Sequence, residues 1–453
     1  MTIQLQHVPF PVEVIPSIAP VFPADEYITR IDALYARAGT DWVAVYGDRE
    51  HFANLTFLTG YDPRFEEALL LIGPGGRRVM IVGNEGCGYV PLTTPWIDVL
   101  LCQSFSLAGQ PRLTAPKLSD VIAAAGIRAG VTVGIVGWKY LGETETDDPR
   151  RPAFVPALIV HTLKHAVGAQ GGVSDVTAVM MNPVDGLRAQ NSAAQIAAFE
   201  WSAMRASASV FNIVNGTKPG MSEYKAVAEM RYEGDPLTAH VMFASGHSNI
   251  VGLRSPTARR IETGDGVTTA VSFWGSLVCR AGMITKPEVE FFVTYCEPYF
   301  KALTTWYESL HICAAGGDIY TAVTLAFGDA DFNSMLNPGH LISFDEWVHS
   351  PIRPGSTERI ASGMALQSDI IPYPLPEGLS LNCEDTVVIA DAVLRAELQA
   401  DSNDAWQRIQ ARRAFMSSQL GITLAEEVLP LSTAPAYLPP FWLAPQMVCV
   451  KTA

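Results

Sequence analysis

Three short stretches of this chain put ionisable side chains inside apolar runs. NPGHLISFDEWVHSPI carries His340, Asp345, Glu346 and His349; SGMALQSDIIP carries Asp369; LNCEDTVVIAD carries Glu384 and Asp385. A charge in a buried strand costs several kcal/mol unless it is paired or ligates something. One imidazole with nearby carboxylates can move protons near neutral pH, hold a cationic group or ligate a metal. The plainer alternatives are a turn-capping role for His340 and ion pairs tying Asp369 and Glu384 to an arginine, Arg280 above all. Asp345 and Glu346 are expected to face solvent or cap the adjoining turn.

A fourth stretch is notable for what it lacks. GDGVTTAVSFWGSLVCRAGM, residues 264 to 283, alternates apolar residues on either side of Trp274-Gly275 and so predicts a hairpin. No carboxylate follows Asp265 within it, and Arg280 stands among its apolar residues. The seven cysteines show no C-x-x-C spacing and read as small core residues. GPGGRR lacks the Lys-Ser/Thr of a phosphate-binding loop and reads as a turn.

The elements around these stretches change character along the chain. Residues 24 to 181 alternate helical and extended signals, an α/β pattern: an amphipathic helix over 25–38, strands in DWVAVYG, EEALLLIG, RRVMIVGN, WIDVLLC and TVGIVGW, and helices in LSDVIAAAGI and FVPALIVHTLKHAVG. The cluster MNPVDGL is a plausible boundary, giving domains 1–184 and 185–453. After it a long helix opens with Ser192 and Gln195 in capping-box spacing, KPG at 218–220 stops it, and Ser222 can cap the next. Strands mixed with helices near 286–310, 317–327 and 393–420 give the second part an α+β character.

With 453 residues, 48% hydrophobic and 17% charged, the chain can bury two cores. Its net charge of -15 disfavours nucleic acid and anionic membrane as partners. The N-terminus has no basic region ahead of an apolar core, and no apolar run spans a bilayer, so a cytoplasmic protein is expected.

The order of a capped long helix, KPGMSE, ASGHSN, the GDGV hairpin, a GH segment, a GM…D…P strand and a final ED strand resembles the creatinase/aminopeptidase P family. LTFLTGYDPRFEEALLLI is similar to that family's N-terminal domain, so the resemblance covers nearly the whole chain. It implies an α/β N-terminal domain followed by an α+β pita-bread domain, and a homodimer. It further implies a site where two metal ions are held by two hairpin Asp residues, one His and two Glu. His340 matches the His, Glu384 the last Glu, and Asp369 falls where the other Glu is expected. The hairpin acids fall near Ala270 to Ser272 and on Ala281, and neither place holds a carboxylate.

Two adjacent dications repel unless anions lie between them, so the expectation is no two-metal centre and no cofactor. A single divalent ion on His340, Asp369 and Glu384 is the alternative. Creatinase offers a metal-free precedent within the resemblance, hydrolysing an amidine C–N bond with His and carboxylates. The early family His aligns near Leu253 and Arg254. The expected catalytic set is therefore His340, His349, Asp369 and Glu384. Arg64, Arg254 and Arg280 are the expected substrate-binding set, because guanidinium groups bind carboxylates in pairs of hydrogen bonds. Three functions follow: a hydrolase of a small amide-like or amidine C–N bond, an Xaa-Pro aminopeptidase, or a silent relative binding a small molecule through the arginines.

Overall fold

The computed structural model describes residues 2–111, 114, 116–248 and 252–452. It divides into two compact units, residues 23–188 and residues 1–22 together with 189–453.

In the first unit a six-stranded sheet has Trp42–Gly47 and Ala68–Gly73 at its centre, antiparallel to each other, with parallel pairs on both flanks. Both central strands are buried along their whole length, which is why they read as unbroken apolar runs rather than alternating ones. Leu118–Ala125 and Ala157–Val167 pack onto the sheet through Val121, Ile122, Ile159 and Leu163. The GPGG turn joins two antiparallel strands, as its composition predicts.

The second unit is built on the long helix Ala193–Gly216, capped by Ser192, whose hydroxyl accepts from the Gln195 amide. Its apolar stripe of Ala206, Val210, Ile213 and Val214 packs on Phe243, Val267, Val271, Phe273 and Val278. Those residues belong to a four-stranded antiparallel sheet ordered Asn382–Glu384, Ser276–Met283, Gly266–Phe273, Met242–Gly246. The predicted hairpin is present, with Trp274 and Gly275 as its two-residue loop. Gly275 has φ +82, and a Cβ there would come within 2.0 Å of the Phe199 ring, so both conformation and space demand glycine.

A second sheet runs His340–Leu341, Ala365–Gln367, Thr386–Ile389, Val428–Pro430. The chain passes from the first sheet to the second at Asp385, between Glu384 and Thr386. Residues 1–22 belong to this unit because Thr2–His7 pairs with the last strand, Met447–Thr452. The C-terminal helical signal resolves into two helices, Ala392–Asp401 and Asn403–Leu420, separated at Ser402. No described helix is long and apolar enough to cross a membrane. Of the ASGHSN stretch, Asn249 lies outside the described residues.

Candidate active site

The hairpin register sorts its residues onto two faces. Cys279 stands opposite Ala270 on one side and Glu384 on the other, while Ala281 stands opposite Thr268 and Asn382. Because side chains alternate along a strand, Thr268, Ala270, Cys279, Ala281, Asn382 and Glu384 share one face. Arg280 and Cys383 face the opposite way, as does Asp385 one residue beyond. The bonds agree: the Asn382 amide donates to Glu384 Oε1 at 2.6 Å and approaches Cys279 Sγ at 3.6 Å.

His340, Asp369 and Glu384 come together on that first face, with Glu346 as a fourth member. His340 Nδ1 lies 3.2 Å from the Leu341 carbonyl oxygen. Its Nε2 lies 3.2 Å from Glu346 Oε1 and 3.9 Å from Asp369 Oδ2. With Nδ1–H donating to the carbonyl, an imidazole that meets two carboxylates through Nε2 gains from a second proton there. Burial lowers its proton affinity, but Glu346 and Asp369 outweigh burial, and the His340 pKa is raised.

The carboxyls respond to the same crowding. Burial, aided by Glu346 and opposed by His340, lifts Asp369 to about 6. Glu384 is pushed well up by burial, then by Asp369 and Glu346, while hydrogen bonds from Asn382 and Gln367 pull the other way. Buried like charges cannot all ionise, so the carboxyls of this cluster share protons among themselves and with the imidazole. Asp369 Oδ1 in it is buried without a hydrogen-bond partner, and His340 Nε2 is held by its charge contacts with Glu346 and Asp369.

Tyr299 supports the cluster from the helix Glu297–Ser309. Its hydroxyl donates to Asn382 Oδ1 at 3.1 Å and accepts from the Cys383 amide at 2.8 Å, which fixes the amide that holds Glu384. The Trp347 ring stacks on His340, centroids 4.1 Å apart and planes 22° from parallel.

The arginines are placed differently from the sequence expectation. Arg280 is fully buried on the face away from Glu384 and pairs with Asp385, not with Asp369 or Glu384. Its other donors meet the carbonyls of Cys279, Glu384, Ala434 and Tyr437, so nothing remains to bind a substrate. Arg254 makes two 2.7 Å bonds to the buried Glu223. Arg64, in the other unit, is paired with Asp62 and lies over the Phe52 ring. Each guanidinium is taken up by a nearby carboxylate, Asp385, Glu223 or Asp62. His349 stands across the ribbon from Leu341 rather than from His340.

Trp347, Cys279, Asn382 and Tyr299 escaped the sequence reading, and Glu346, expected to face solvent or cap the adjoining turn, instead meets His340. The signal for Glu346 and Trp347 was the nine-residue gap between His340 and His349, long enough for the chain to fold back on the imidazole. The signal for Cys279 was its two-residue offset from Ala281.

A two-metal centre does not fit these residues. The hairpin places that would supply its bridging anions hold Ala270 and Ala281, both buried and without a donor atom. Among the described residues, one group of possible ligands has all its donor atoms within 4.8 Å: His247, Glu262 and Asp265. It lies elsewhere, and Asp265 already gives both oxygens to Arg259.

The arrangement of capped helix, hairpin and two sheets is the pita-bread fold. The chain is similar to solved structures of an Xaa-Pro dipeptidase from Bacillus anthracis (16% identity, 82% of this chain and 96% of that one, TM-score 0.61). It is also similar to a prolidase from Thermococcus sibiricus (15%, 92% and 99%, TM-score 0.65) and an X-Pro aminopeptidase from Thermotoga maritima (14%, 90% and 98%, TM-score 0.64). No protein-family model and no curated protein matches the chain. At these identities the likeness establishes the fold, and chemistry must be argued from the site.

Proposed function

We propose that the protein hydrolyses a small amide-like or amidine C–N bond, as a member of the creatinase/aminopeptidase P class that does not rely on a two-metal centre. One observation carries this reading: a buried imidazole meets Glu346 and Asp369, with Glu384 beside them, on a face whose hairpin positions hold Ala270 and Ala281. The fold shared with Xaa-Pro hydrolases supports the reaction class.

Hydrolysis of a C–N bond needs a base for the attacking water and an acid for the departing nitrogen. Asp369, lifted to about 6, suits the base, since near neutral pH it is ionised and still basic enough to take a proton. His340, whose proton affinity its carboxylate neighbours raise, suits the acid that delivers a proton to the nitrogen. Glu384, held by Asn382, orients the substrate or returns the proton. His349 belongs to this reading only through the backbone that it pairs with Leu341.

The test is turnover of a panel of small amides and amidines with and without chelator. Activity that survives chelator and disappears in His340→Ala supports the proposal. Activity on Xaa-Pro peptides that chelator abolishes and a divalent ion restores would instead establish the aminopeptidase reading, with one ion on His340, Asp369 and Glu384. A silent small-molecule binder is less well supported, because Arg254, Arg280 and Arg64 are engaged internally. A small-molecule substrate, a homodimer and a cytoplasmic location complete the proposal.

A further inference from the structure

His340 lies on a two-residue edge strand of its sheet, yet none of its surface is exposed. What covers it is the chain just beyond. The loop closes on itself, with the Val348 amide donating to the Leu341 carbonyl and the Leu341 amide to the His349 carbonyl, at 2.9 and 2.7 Å. Phe344 anchors one limb, its ring 5.2 Å from Trp274 and 5.7 Å from Phe199. The other limb, Glu346 and Trp347, folds over the imidazole. Trp347 is 39% exposed, so while one indole face lies on His340 the residue still borders solvent.

We propose that Trp347 forms a cover over His340 which must swing aside for a ligand to reach the imidazole, Glu346 keeping its contact with Nε2, and that Trp347 is thereby a specificity-determining residue. The indole now occupies the flat imidazole face, so the group that takes its place there is planar, as a neutral amide or amidine is, and stacks as the indole does. The substrate half of this inference rests on the proposed function; the cover itself does not.

The cover is tested without a substrate, by site-resolved labelling of histidines with diethylpyrocarbonate and peptide mass spectrometry. Because diethylpyrocarbonate acylates only the neutral imidazole, rates are taken at a pH high enough that neither histidine's rate rises further; there, in the wild-type protein, His340 is expected to react at least about tenfold more slowly than the exposed His311, since labelling waits on local opening. Trp347→Ala is expected to raise the His340 rate at least about fivefold while leaving His311 unchanged, and Trp347→Phe to keep it near wild type. Trp347→Leu, which retains apolar bulk but not the flat stack, serves if the alanine variant is unstable and is expected to fall between. Equal labelling of His340 and His311 in the wild type, or no acceleration in a folded Trp347→Ala or Trp347→Leu, overturns the cover. If the cover stands but no planar amide or amidine is turned over, the proposed function fails and the cover survives. If turnover is found, Trp347→Ala should lower KM for bulkier analogues more than for the small one, and an equal effect on both overturns the specificity role.

Discussion

The Arg280 guanidinium meets both oxygens of Asp385, at 2.9 and 3.0 Å, with neither side chain exposed to solvent. The pair sits where the chain leaves one sheet for the other, between Glu384 of the site and Thr386. It thereby fixes the position of the neighbouring Glu384 from the opposite face of the same strand.

Breaking that pair is expected to be costly. Arg280→Ala leaves a buried carboxylate with its principal partner gone, and should destabilise the protein by about 3–5 kcal/mol in urea unfolding. Arg280→Met combined with Asp385→Leu, which removes both charges, should recover a substantial part. A loss below about 1 kcal/mol for Arg280→Ala would show that the pair is not holding the strand junction.

Asp369 predicts a definite pH dependence. Its carboxyl is lifted from 3.8 to about 6, so the folded state favours the protonated form. The stability it contributes is complete below 3.8 and is lost as pH rises through about 6. Asp369→Asn removes the ionisation, so the variant should gain on wild type by roughly 1–3 kcal/mol between pH 4 and pH 8. Urea unfolding at the two pH values checks this, and parallel pH profiles for the two proteins contradict it.

The hairpin turn is intolerant of side chains. Gly275→Ala places a methyl within 2.0 Å of Phe199 and holds a non-glycine residue at φ +82. A loss of roughly 2–4 kcal/mol is expected from overpacking and backbone strain together. A variant whose thermal midpoint equals that of wild type would mean the turn can rearrange.

Metal content follows from Ala270 and Ala281. Elemental analysis after exhaustive dialysis is expected to give well under about one divalent ion per chain, because the donor atoms of His340, Asp369 and Glu384 do not all lie within 4.8 Å of one another. Ala270→Asp with Ala281→Asp should raise retained metal. One or two ions retained by the unmodified protein would overturn the metal-independent reading.

Legibility differed between elements for physical reasons. The central strands Trp42–Gly47 and Ala68–Gly73, the Ser192 cap and the Trp274-Gly275 turn were all predicted from local pattern, because period, capping chemistry and turn composition are properties of adjacent residues. The break at Ser402 was not, since both helical segments share one continuous helical composition.

The site divides along the same line. The sequence by itself determined that His340, Asp369 and Glu384 are ionisable groups in apolar runs, and that Ala270 and Ala281 stand at hairpin positions without carboxylates. Only the tertiary structure decided the partners. Register sent Arg280 to Asp385 rather than to Glu384, because adjacent residues on a strand face opposite ways. Loop closure brought Glu346 and Trp347 onto His340, a contact whose length, angle and burial depend on how the base of the loop is pinned, which no local pattern specifies.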